Sequence, residues 1–296
     1  MQSIRVAAVS MNSPLGEYEA TMARIADYAR QAAADGAELV LFPELVVHGH
    51  CTPNTWEVAE PVPDGPSVGR LVELARQLGV FLSVGMSEKQ RDIVYNTQVL
   101  VGPQGYVGRQ RKLHMSRDEG TFYKGGSEIA VFDIGKCRVA TVICYDNQLP
   151  EVGRVAALRG AEVILMPHAA REGRWDDSPE SQARVRRKVH EYFAAYRMRA
   201  LENACFGVYT DQAGRAGFVD SLPPDHMNQP HHPGGAMVID PLGRIIVKAQ
   251  LDEIRDEIIV VDLDAAVIAR ARSHPNYTLR TRRPELFGDI TAGQRE

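Results

Sequence analysis

Apolar runs typical of buried strands alternate with amphipathic helical segments along most of the chain, and this alternation restricts its fold more than any other feature. Residues 4–10 form the first such run, and residues 17–34 then have apolar side chains at helical spacing. A second buried run ends at Pro43, and a helical pattern over residues 66–79 ends at Gly79, since glycine commonly terminates helices. The pattern predicts an α/β domain in which helices cover sheets.

Two hairpin patterns interrupt the alternation and exclude a simple parallel sheet. Residues 95–112 turn at 102–105, and residues 235–249 turn at 240–243, with proline and glycine at the turn positions of both. The glycine-rich stretch "GPQGYVG" lies in the first hairpin, so it is not a phosphate-binding loop that opens a helix. No low-complexity linker divides the chain, and we therefore predict one domain over residues 1–296, with helices covering two sheets.

Composition and charge exclude several classes of function. The 296 residues have a formal net charge of -4 without any block of like charge, which argues against a nucleic-acid or anionic-membrane partner. No apolar run approaches the roughly 18 residues that a membrane span needs. The first residues have a strand pattern and do not resemble a signal peptide, so the cytoplasm is the expected compartment.

The four cysteines, Cys51, Cys137, Cys144 and Cys205, are scattered and form no CxxC pair. In a chain of this length, such spacing predicts reduced thiols and no disulfide framework. The same lack of closely spaced ligands argues against zinc, so we expect no metal.

Three predicted strand ends have groups that could do chemistry. Glu44 directly follows a buried apolar run, where a carboxylate is costly unless it is paired or functional. Lys112 leaves the first hairpin beside two arginines, and Cys144 ends the buried run "VATVIC". Taken singly, each has an ordinary structural explanation: a salt-bridged carboxylate, a solvated basic turn and a small core residue.

Together these three side chains could form a nucleophilic site. A cysteine needs a base to become a thiolate at neutral pH, and Glu44 could serve if burial raises its pKa. A lysine and a backbone N–H beside the nucleophile would stabilise a developing oxyanion. The spacing of the residues along the chain does not by itself bring them together.

The segments around these residues resemble the nitrilase superfamily of carbon–nitrogen hydrolases. The stretches "LVLFPEL", "GRQRKLH" and "VICYDNQLPE" resemble its glutamate, lysine and cysteine segments, in the family's order. Further matches are Glu119 followed by "FYKGG", then "GAEVILMPHAA", "RALENACFGVYT", "GGAMVIDPLG" and "RRPELF". The resemblance therefore covers nearly the whole chain.

The resemblance implies a fold and a catalytic set. The fold is a four-layer αββα sandwich, and the triad is Glu44, Lys112 and Cys144. Glu119 matches a second glutamate whose usual role is to orient the lysine. Members typically need no metal or organic cofactor, so we expect none here.

The resemblance also implies a reaction path and a partner. Cys144 would form a thioester, with the backbone N–H of Tyr145 helping to hold the oxyanion, and His114 would have a supporting structural role. Members often dimerise through two helices, which correspond here to residues 150–159 and 179–203. We therefore expect a homodimer or a larger homo-oligomer.

The residues after the cysteine favour an amide over a nitrile as substrate. Members that act on nitriles usually have Cys-Trp-Glu, whereas Cys144-Tyr145-Asp146 is more similar to the amidase and carbamoylase branches. We expect hydrolysis of a small amide, with an N-carbamoyl amino acid or amine hydrolase as the main alternative. Gln148 replaces an arginine or tryptophan that many members have, so the substrate itself is not assigned.

Three further alternatives are a nitrilase, an acyltransferase that passes the thioester to an amine, and a catalytically inactive interaction module. An active site would give Cys144 a low pKa and faster reaction with iodoacetamide than the other cysteines. Uniform reactivity of the four thiols would favour the inactive module.

Residues beyond the strand predicted at 161–168 are candidates for substrate binding. His168 lies at the strand end, where it could line a pocket or be a satisfied structural histidine. Arg171 or Arg174 could bind a substrate carboxylate in a bidentate manner, which would suit an N-carbamoyl amino acid. The ordinary alternative is a solvated, arginine-rich helix face.

The stretch "PPDHMNQPHHPGG" contains His226, His231 and His232 but few other ligands at suitable spacing, so a metal site is not predicted there. Because a long loop inside a compact domain is often functional, we expect a mobile lid beside the pocket. The loops around Trp56 and Arg117 are expected to shape the same pocket.

Overall fold

Two mixed sheets packed face to face form the centre of the molecule, and helices cover their outer surfaces. The computed structural model describes residues 1–171, 178–219, 221–223, 226, 229–250 and 254–292. In those ranges the strands are β1 (Ile4–Ser10), β2 (Leu39–Leu41), β3 (Phe81–Gln90), β4 (Ile93–Gly102), β5 (Gly105–Arg111), β6 (Val131–Asp133), β7 (Arg138–Thr141), β8 (Val163–His168), β9 (Phe206–Asp211), β10 (Ala213–Arg215), β11 (His231–Pro233), β12 (Ala236–Ile239), β13 (Ile245–Lys248) and β14 (Glu257–Leu263).

The helices lie between these strands and at the end of the chain. They are α1 (Tyr18–Ala34), α2 (Thr55–Val58), α3 (Pro66–Leu78), α4 (Pro150–Leu158), α5 (Pro179–Asn203), α6 (Ala265–Ser273), α7 (Thr278–Thr281) and α8 (Gly288–Thr291). Short 3₁₀ turns span Glu119–Thr121, Cys144–Gln148 and Pro284–Leu286.

The two sheets have similar strand arrangements. Over the described residues, the order is β14-β1-β2-β3-β4-β5 in the first sheet and β13-β12-β9-β8-β7-β6 in the second. Strands β1, β2 and β3 are parallel, as are β7, β8 and β9, and antiparallel strands flank each set. Both predicted hairpins form, as β4–β5 and β12–β13.

The central strands are buried on both faces. In β1, Val6 packs between the two sheets, whereas the adjacent Ala7 packs toward α1 and α3. In β8, Leu165 packs between the sheets and Ile164 packs toward α4 and α5. Successive side chains of a strand point to opposite faces, so a strand covered on both sides needs apolar residues throughout. This arrangement explains the continuous apolar runs in the sequence.

The predicted αββα sandwich is confirmed by these layers. Helix α3 ends as predicted, because Gly79 has a φ of 70° in the left-handed region that glycine adopts without a steric cost. No helix in the described ranges combines the length and the apolar character that crossing a membrane requires.

Gly85 in β3 allows the chain around Glu44 to lie directly against the sheet. A Cβ at Gly85 would lie 2.2 Å from the Leu45 nitrogen and 2.5 Å from the Pro43 oxygen, which are backbone atoms that cannot rotate away. We expect Gly85→Ala to lower the free energy of unfolding by about 1–3 kcal/mol and to displace the segment that contains Glu44. Urea denaturation and activity measurements on the same variant would test both effects.

Gly69 provides a matched control on helix α3. A Cβ there would have no heavy atom within 4 Å. Because alanine is preferred to glycine inside a helix, Gly69→Ala should stabilise the protein by about 0.5–1 kcal/mol. Equal stability of the two variants would contradict the role given to Gly85.

Candidate active site

The predicted catalytic residues lie where strands of the two sheets end. Glu44 follows β2, and Cys144 follows β7. Strand β5 is antiparallel to β4, which is antiparallel to β3, so β5 runs in the same direction as β2 and ends at the same edge. Lys112 comes directly after β5, and Glu119 begins a 3₁₀ turn beyond it. Glu44, Lys112 and Glu119 are completely buried.

Both carboxylate oxygens of Glu44 accept hydrogen bonds. Its Oε1 accepts from Asn96 Nδ2 at 2.6 Å and from Lys112 Nζ at 2.8 Å. Its Oε2 accepts from the backbone N–H of Ala169, just beyond β8, at 2.7 Å. The contacts come from both sheets, so the sandwich itself determines the orientation of this carboxylate.

Lys112 joins the two glutamates. Its Nζ donates to Oε1 and Oε2 of Glu119, each at 2.7 Å, as well as to Glu44. In the described part of the chain, the potential metal ligands that lie together are Glu44, His50 and Glu119. The Lys112 ammonium contacts both carboxylates of this group, and it supplies the positive charge that a metal ion would otherwise provide.

Cys144 lines a cavity of about 440 Å³. It begins a 3₁₀ turn after β7, and its φ of 48° is in the left-handed region that non-glycine residues rarely adopt. Leu45 and Arg117, which both lie close to the glutamates, have φ values of 51°. Strained backbone of this kind is concentrated at functional sites, where it directs a side chain toward the reacting group.

Comparison with known proteins identifies the family of the chain. Residues 5–273 match the family model described as carbon-nitrogen hydrolase. The chain belongs to this family. It is 32% identical over 269 residues to an (R)-stereoselective amidase from Pseudomonas sp., with 89% of this hydrolase and 87% of the amidase covered.

Two further comparisons extend over nearly the whole hydrolase. It is 28% identical over 295 residues to a protein from Pyrococcus abyssi named nitrilase, covering 96% of this chain and 99% of the relative. A solved carbon-nitrogen hydrolase from Helicobacter pylori has a TM-score of 0.85 at 20% identity, covering 98% and 99% of the two chains. The predicted membership of the nitrilase superfamily is confirmed.

The pKa shifts of Glu44 and Cys144 are opposite in direction to those that the sequence suggested. Burial raises the pKa of the Cys144 thiol well above its ordinary value, and the Glu44 carboxylate raises it further against the opposing effect of Lys112. Burial also raises the pKa of Glu44, but the charge and hydrogen bond of Lys112 outweigh this effect and lower the net pKa. Both directions favour a neutral thiol beside an ionised carboxylate over a preformed thiolate.

The alkylation rate of Cys144 should reveal this neutral thiol. Only the thiolate is nucleophilic, so the rate with iodoacetamide should rise about tenfold per pH unit between pH 6 and 9, without a plateau. Cys144 is half-buried and the other three cysteines are buried, so it should still be labelled first. Peptide mass spectrometry after timed labelling gives the rate, with Cys144→Ser as control. A plateau near neutral pH would show a thiolate and contradict the assignment.

Asp146 links the cysteine turn to the lysine segment, a role that sequence reasoning missed. Its Oδ2 accepts from the Leu113 N–H at 3.0 Å, and its Oδ1 accepts from the His114 N–H at 2.9 Å. The His114 ring also contacts Oδ1, through Nδ1 at 2.8 Å. The only signal in the sequence is the position of Asp146 two residues after Cys144.

Asn96 and His50 were also missed. Asn96 lies in β4 and contacts Glu44, while His50 Nε2 lies 3.1 Å from Glu119 Oε1. Nothing in the hairpin pattern distinguishes Asn96 from the other polar residues of its strand. His50 follows Glu44 by six residues, a separation that alone does not predict contact with Glu119.

Those predicted substrate-binding residues that the structure describes all line this cavity. Tyr145, His168 and Arg171 all line it, whereas Arg174 lies outside the described residues. Arg171 is buried and donates to the Asp118 carboxylate, so its charge is already compensated within the protein. The role of these residues in binding stays a prediction.

The loops expected around the pocket are only partly placed there. Arg117 and Pro233 line the cavity, but Trp56 lies against a separate depression, where Lys89 Nζ is 5.0 Å from its ring centroid. The expectation for Trp56 is therefore wrong. His231–Pro233 forms β11, which pairs with β10, so this end of the expected lid is a strand. The rest of the lid lies partly outside the described residues.

Proposed function

We propose that this hydrolase cleaves a small amide through a thioester on Cys144 and releases ammonia or an amine. The observation that supports the proposal is the Lys112 ammonium, which contacts both Glu44 and Glu119 and interacts electrostatically with Cys144, a cysteine that lines a cavity. Each part has a function in acyl transfer: a base, a cation and a nucleophile.

The first half of the proposed reaction forms the thioester. As the sulfur of Cys144 attacks the amide carbon, its proton moves to the Glu44 carboxylate. Lys112 and the backbone N–H of Tyr145 stabilise the negative charge on the former carbonyl oxygen. Glu44 then gives the proton to the departing nitrogen, the carbon–nitrogen bond breaks, and the thioester remains.

The second half regenerates the enzyme. Glu44 takes a proton from water as the water oxygen attacks the thioester carbon. The carbon–sulfur bond breaks, the proton returns to sulfur, and a carboxylic acid leaves. Glu119 keeps Lys112 in place throughout, because both of its carboxylate oxygens accept hydrogen bonds from the ammonium in addition to the one accepted by Glu44 Oε1.

A panel of simple amides, N-carbamoyl amino acids and nitriles tests this proposal. We expect equal amounts of ammonia and carboxylic acid from primary amides, together with an acyl adduct on the Cys144 peptide by mass spectrometry. Added amines would reveal acyl transfer as an amide product. Absence of ammonia from all three classes, with Cys144 unmodified, would support the inactive module and overturn the proposal.

The second candidate function is hydrolysis of an N-carbamoyl amino acid. Two arginines, Arg117 and Arg171, line the cavity, and a guanidinium suits a substrate carboxylate. The compensation of Arg171 by Asp118 makes a neutral amide the first choice. Carbamoyl substrates release carbon dioxide as well as ammonia, so the panel separates the two. If carbamoyl substrates are preferred, Arg171→Lys should raise their KM more than that of simple amides.

We also propose that the partner of this chain is a second copy of itself. Leu158 in α4 and Met198 and Leu201 in α5 are 47%, 48% and 43% exposed. These helices are the ones that the resemblance indicates for dimerisation, and burial of such side chains stabilises association. Sedimentation analysis of Met198→Glu against the unchanged protein would test the arrangement.

A further inference from the structure

Strand β9 ends in a buried carboxyl group that the proposed reaction does not use. Asp211 is the last residue of this strand and is 0% exposed. Its Oδ1 accepts from the Ala170 N–H at 3.0 Å, and its Oδ2 accepts from the Tyr209 hydroxyl at 3.0 Å. Across the described ranges it forms no ion pair with a lysine or an arginine. A buried carboxyl group without a cation is costly, which indicates a role for these contacts.

The contact with Ala170 belongs to a short segment, residues 168–170, that reaches the proposed base. The His168 carbonyl oxygen accepts from the Gln212 N–H at 3.2 Å. The N–H of the same peptide group, that of Ala169, donates to Glu44 Oε2 at 2.7 Å. The next peptide group is held by its own N–H, which donates to the carboxyl group at the end of β9. Because each peptide group is planar, these two attachments fix the direction of the Ala169 N–H.

The end of β9 also holds the main chain of the proposed base. Gln212 Nε2 donates to the Glu44 carbonyl oxygen at 2.7 Å. Glu44 follows β2 of the first sheet, whereas β9 and β7 belong to the second sheet, and Cys144 follows β7. The residues after β9 therefore connect the base to the sheet that supplies the nucleophile.

We infer that Asp211 is a positioning residue for the base: by accepting from the Ala170 N–H, it keeps the Ala169 N–H directed at the Glu44 carboxylate. This inference rests on the proposed function and deepens it. Without an acceptor at position 211, the Ala170 N–H would be left unpaired, and the segment would shift toward another partner. Glu44 would then lose one of the three hydrogen bonds that its carboxylate accepts among the described residues.

The alternative is that Asp211 acts only through its charge. Burial raises the pKa of Asp211 well above its ordinary value, and the Glu44 carboxylate raises it further, against the hydrogen bonds from Tyr209 and Ala170. The titratable groups that interact with Glu44 are Lys112, Glu119, His50, Cys144 and Asp211. A lost hydrogen bond raises the pKa of Glu44, whereas removal of a nearby negative charge lowers it. The direction of the shift therefore separates positioning from charge.

The experiment measures ammonia release from a primary amide against pH, with circular dichroism at each pH to follow the fold. The acid limb of kcat/KM reports the ionisation of Glu44, because a protonated carboxyl group cannot accept the thiol proton. Asp211→Asn keeps an oxygen for the Ala170 N–H and removes the ionisable group. Asp211→Ala removes both. Asp211→Leu has a similar volume to aspartate without an acceptor, and it replaces the alanine variant if the cavity left by alanine prevents folding.

Ser10→Ala is the matched control. The Ser10 hydroxyl is buried, donates to the Asp211 main-chain oxygen at 3.0 Å and accepts from the Gly235 N–H at 2.9 Å, so it holds the same strand end without bonding to the Asp211 side chain. Its loss should lower stability in urea denaturation and leave the acid limb in place.

We expect Asp211→Ala or Asp211→Leu to move the acid limb up by about one pH unit and to lower kcat/KM at pH 7 about tenfold to a hundredfold. Asp211→Asn should stay near the wild-type protein in both measurements. If amides are hydrolysed but the acid limb moves down in Asp211→Asn, or does not rise in the variants without an acceptor, the inference is overturned while the proposed function stands. If the wild-type protein releases no ammonia, both are overturned.

Discussion

Cys144→Ala and Cys144→Ser should lose essentially all ammonia release, by at least about 10⁴-fold, while the fold persists. The sulfur is the proposed site of the covalent bond, so alanine removes the reaction path. Serine keeps the shape, but its hydroxyl is far harder to deprotonate than a thiol and is a poorer leaving group from the acyl intermediate. Ammonia assays at high enzyme concentration measure the loss of activity, and circular dichroism shows whether the fold persists.

A third variant at this position tests the backbone strain at the proposed nucleophile. The φ of 48° at Cys144 costs a residue with a Cβ about 1–2 kcal/mol, whereas glycine adopts it freely. Cys144→Gly should therefore be more stable than Cys144→Ala in urea denaturation, although both are inactive. Full activity in Cys144→Ala would end the proposed mechanism, and equal stability of the glycine and alanine variants would show that the backbone is relaxed.

Lys112→Met is expected to have the largest effect on stability. Lys112 is completely buried and contacts two buried carboxylates, Glu44 and Glu119. Methionine fills similar volume but leaves both negative charges without a cation, which should lower the free energy of unfolding by about 3–5 kcal/mol and abolish activity. Urea denaturation at pH 7 measures the loss.

The dependence of this loss on pH has a definite sign. Burial raises the pKa of Glu119, but Lys112 and His50 outweigh it and hold the pKa well below its ordinary value. The ion pair between Lys112 and Glu119 therefore stabilises the wild-type protein at pH values above the pKa that the carboxyl has in the unfolded chain. This stabilisation is lost as the pH falls through the pKa that the carboxyl has in the folded protein. Without Lys112, burial raises the pKa of the carboxyls, and they take up protons in acid. The difference in free energy of unfolding between the variant and the wild-type protein should therefore shrink below about pH 5.

A double variant separates charge balance from catalysis. Lys112→Met combined with Glu119→Gln removes one positive and one negative charge, so it should recover part of the stability lost in Lys112→Met and stay inactive. If the double variant is no more stable than the single one, the loss comes from packing and the ion pairs contribute little.

The strands of this fold could be predicted from the sequence because most of them are covered by other layers on both faces. Strands such as β1 and β8 are buried on both faces, and this requirement appears locally as an unbroken apolar run. Turn chemistry is equally local, so both hairpins and the end of α3 at Gly79 could be predicted. The pairing of two sheets was taken from family resemblance, because short-range patterns do not specify which layers meet.

The active site could also be predicted only in part from the sequence. Glu44, Lys112 and Cys144 were identified because reactive groups at the ends of buried runs are unusual, and the matching segments assigned them one site. The carboxylate of Glu44 is oriented by Asn96 and by the Ala169 N–H, which is 125 residues away along the chain. Such contacts leave no local pattern.

The sequence by itself determined the order of strands and helices, the membership of the carbon–nitrogen hydrolase family and the positions of the candidate nucleophile, base and cation. Only the tertiary structure decided their protonation. Burial raises the pKa of Glu44, but Lys112 opposes it and the net pKa is lowered; burial and the Glu44 carboxylate both raise the pKa of Cys144 against the opposing effect of Lys112. The tertiary structure also decided the tautomers of His50 and His168, since a ring's tautomer follows from the partner that each nitrogen meets. Both outcomes depend on distances across the fold, which a linear sequence does not contain.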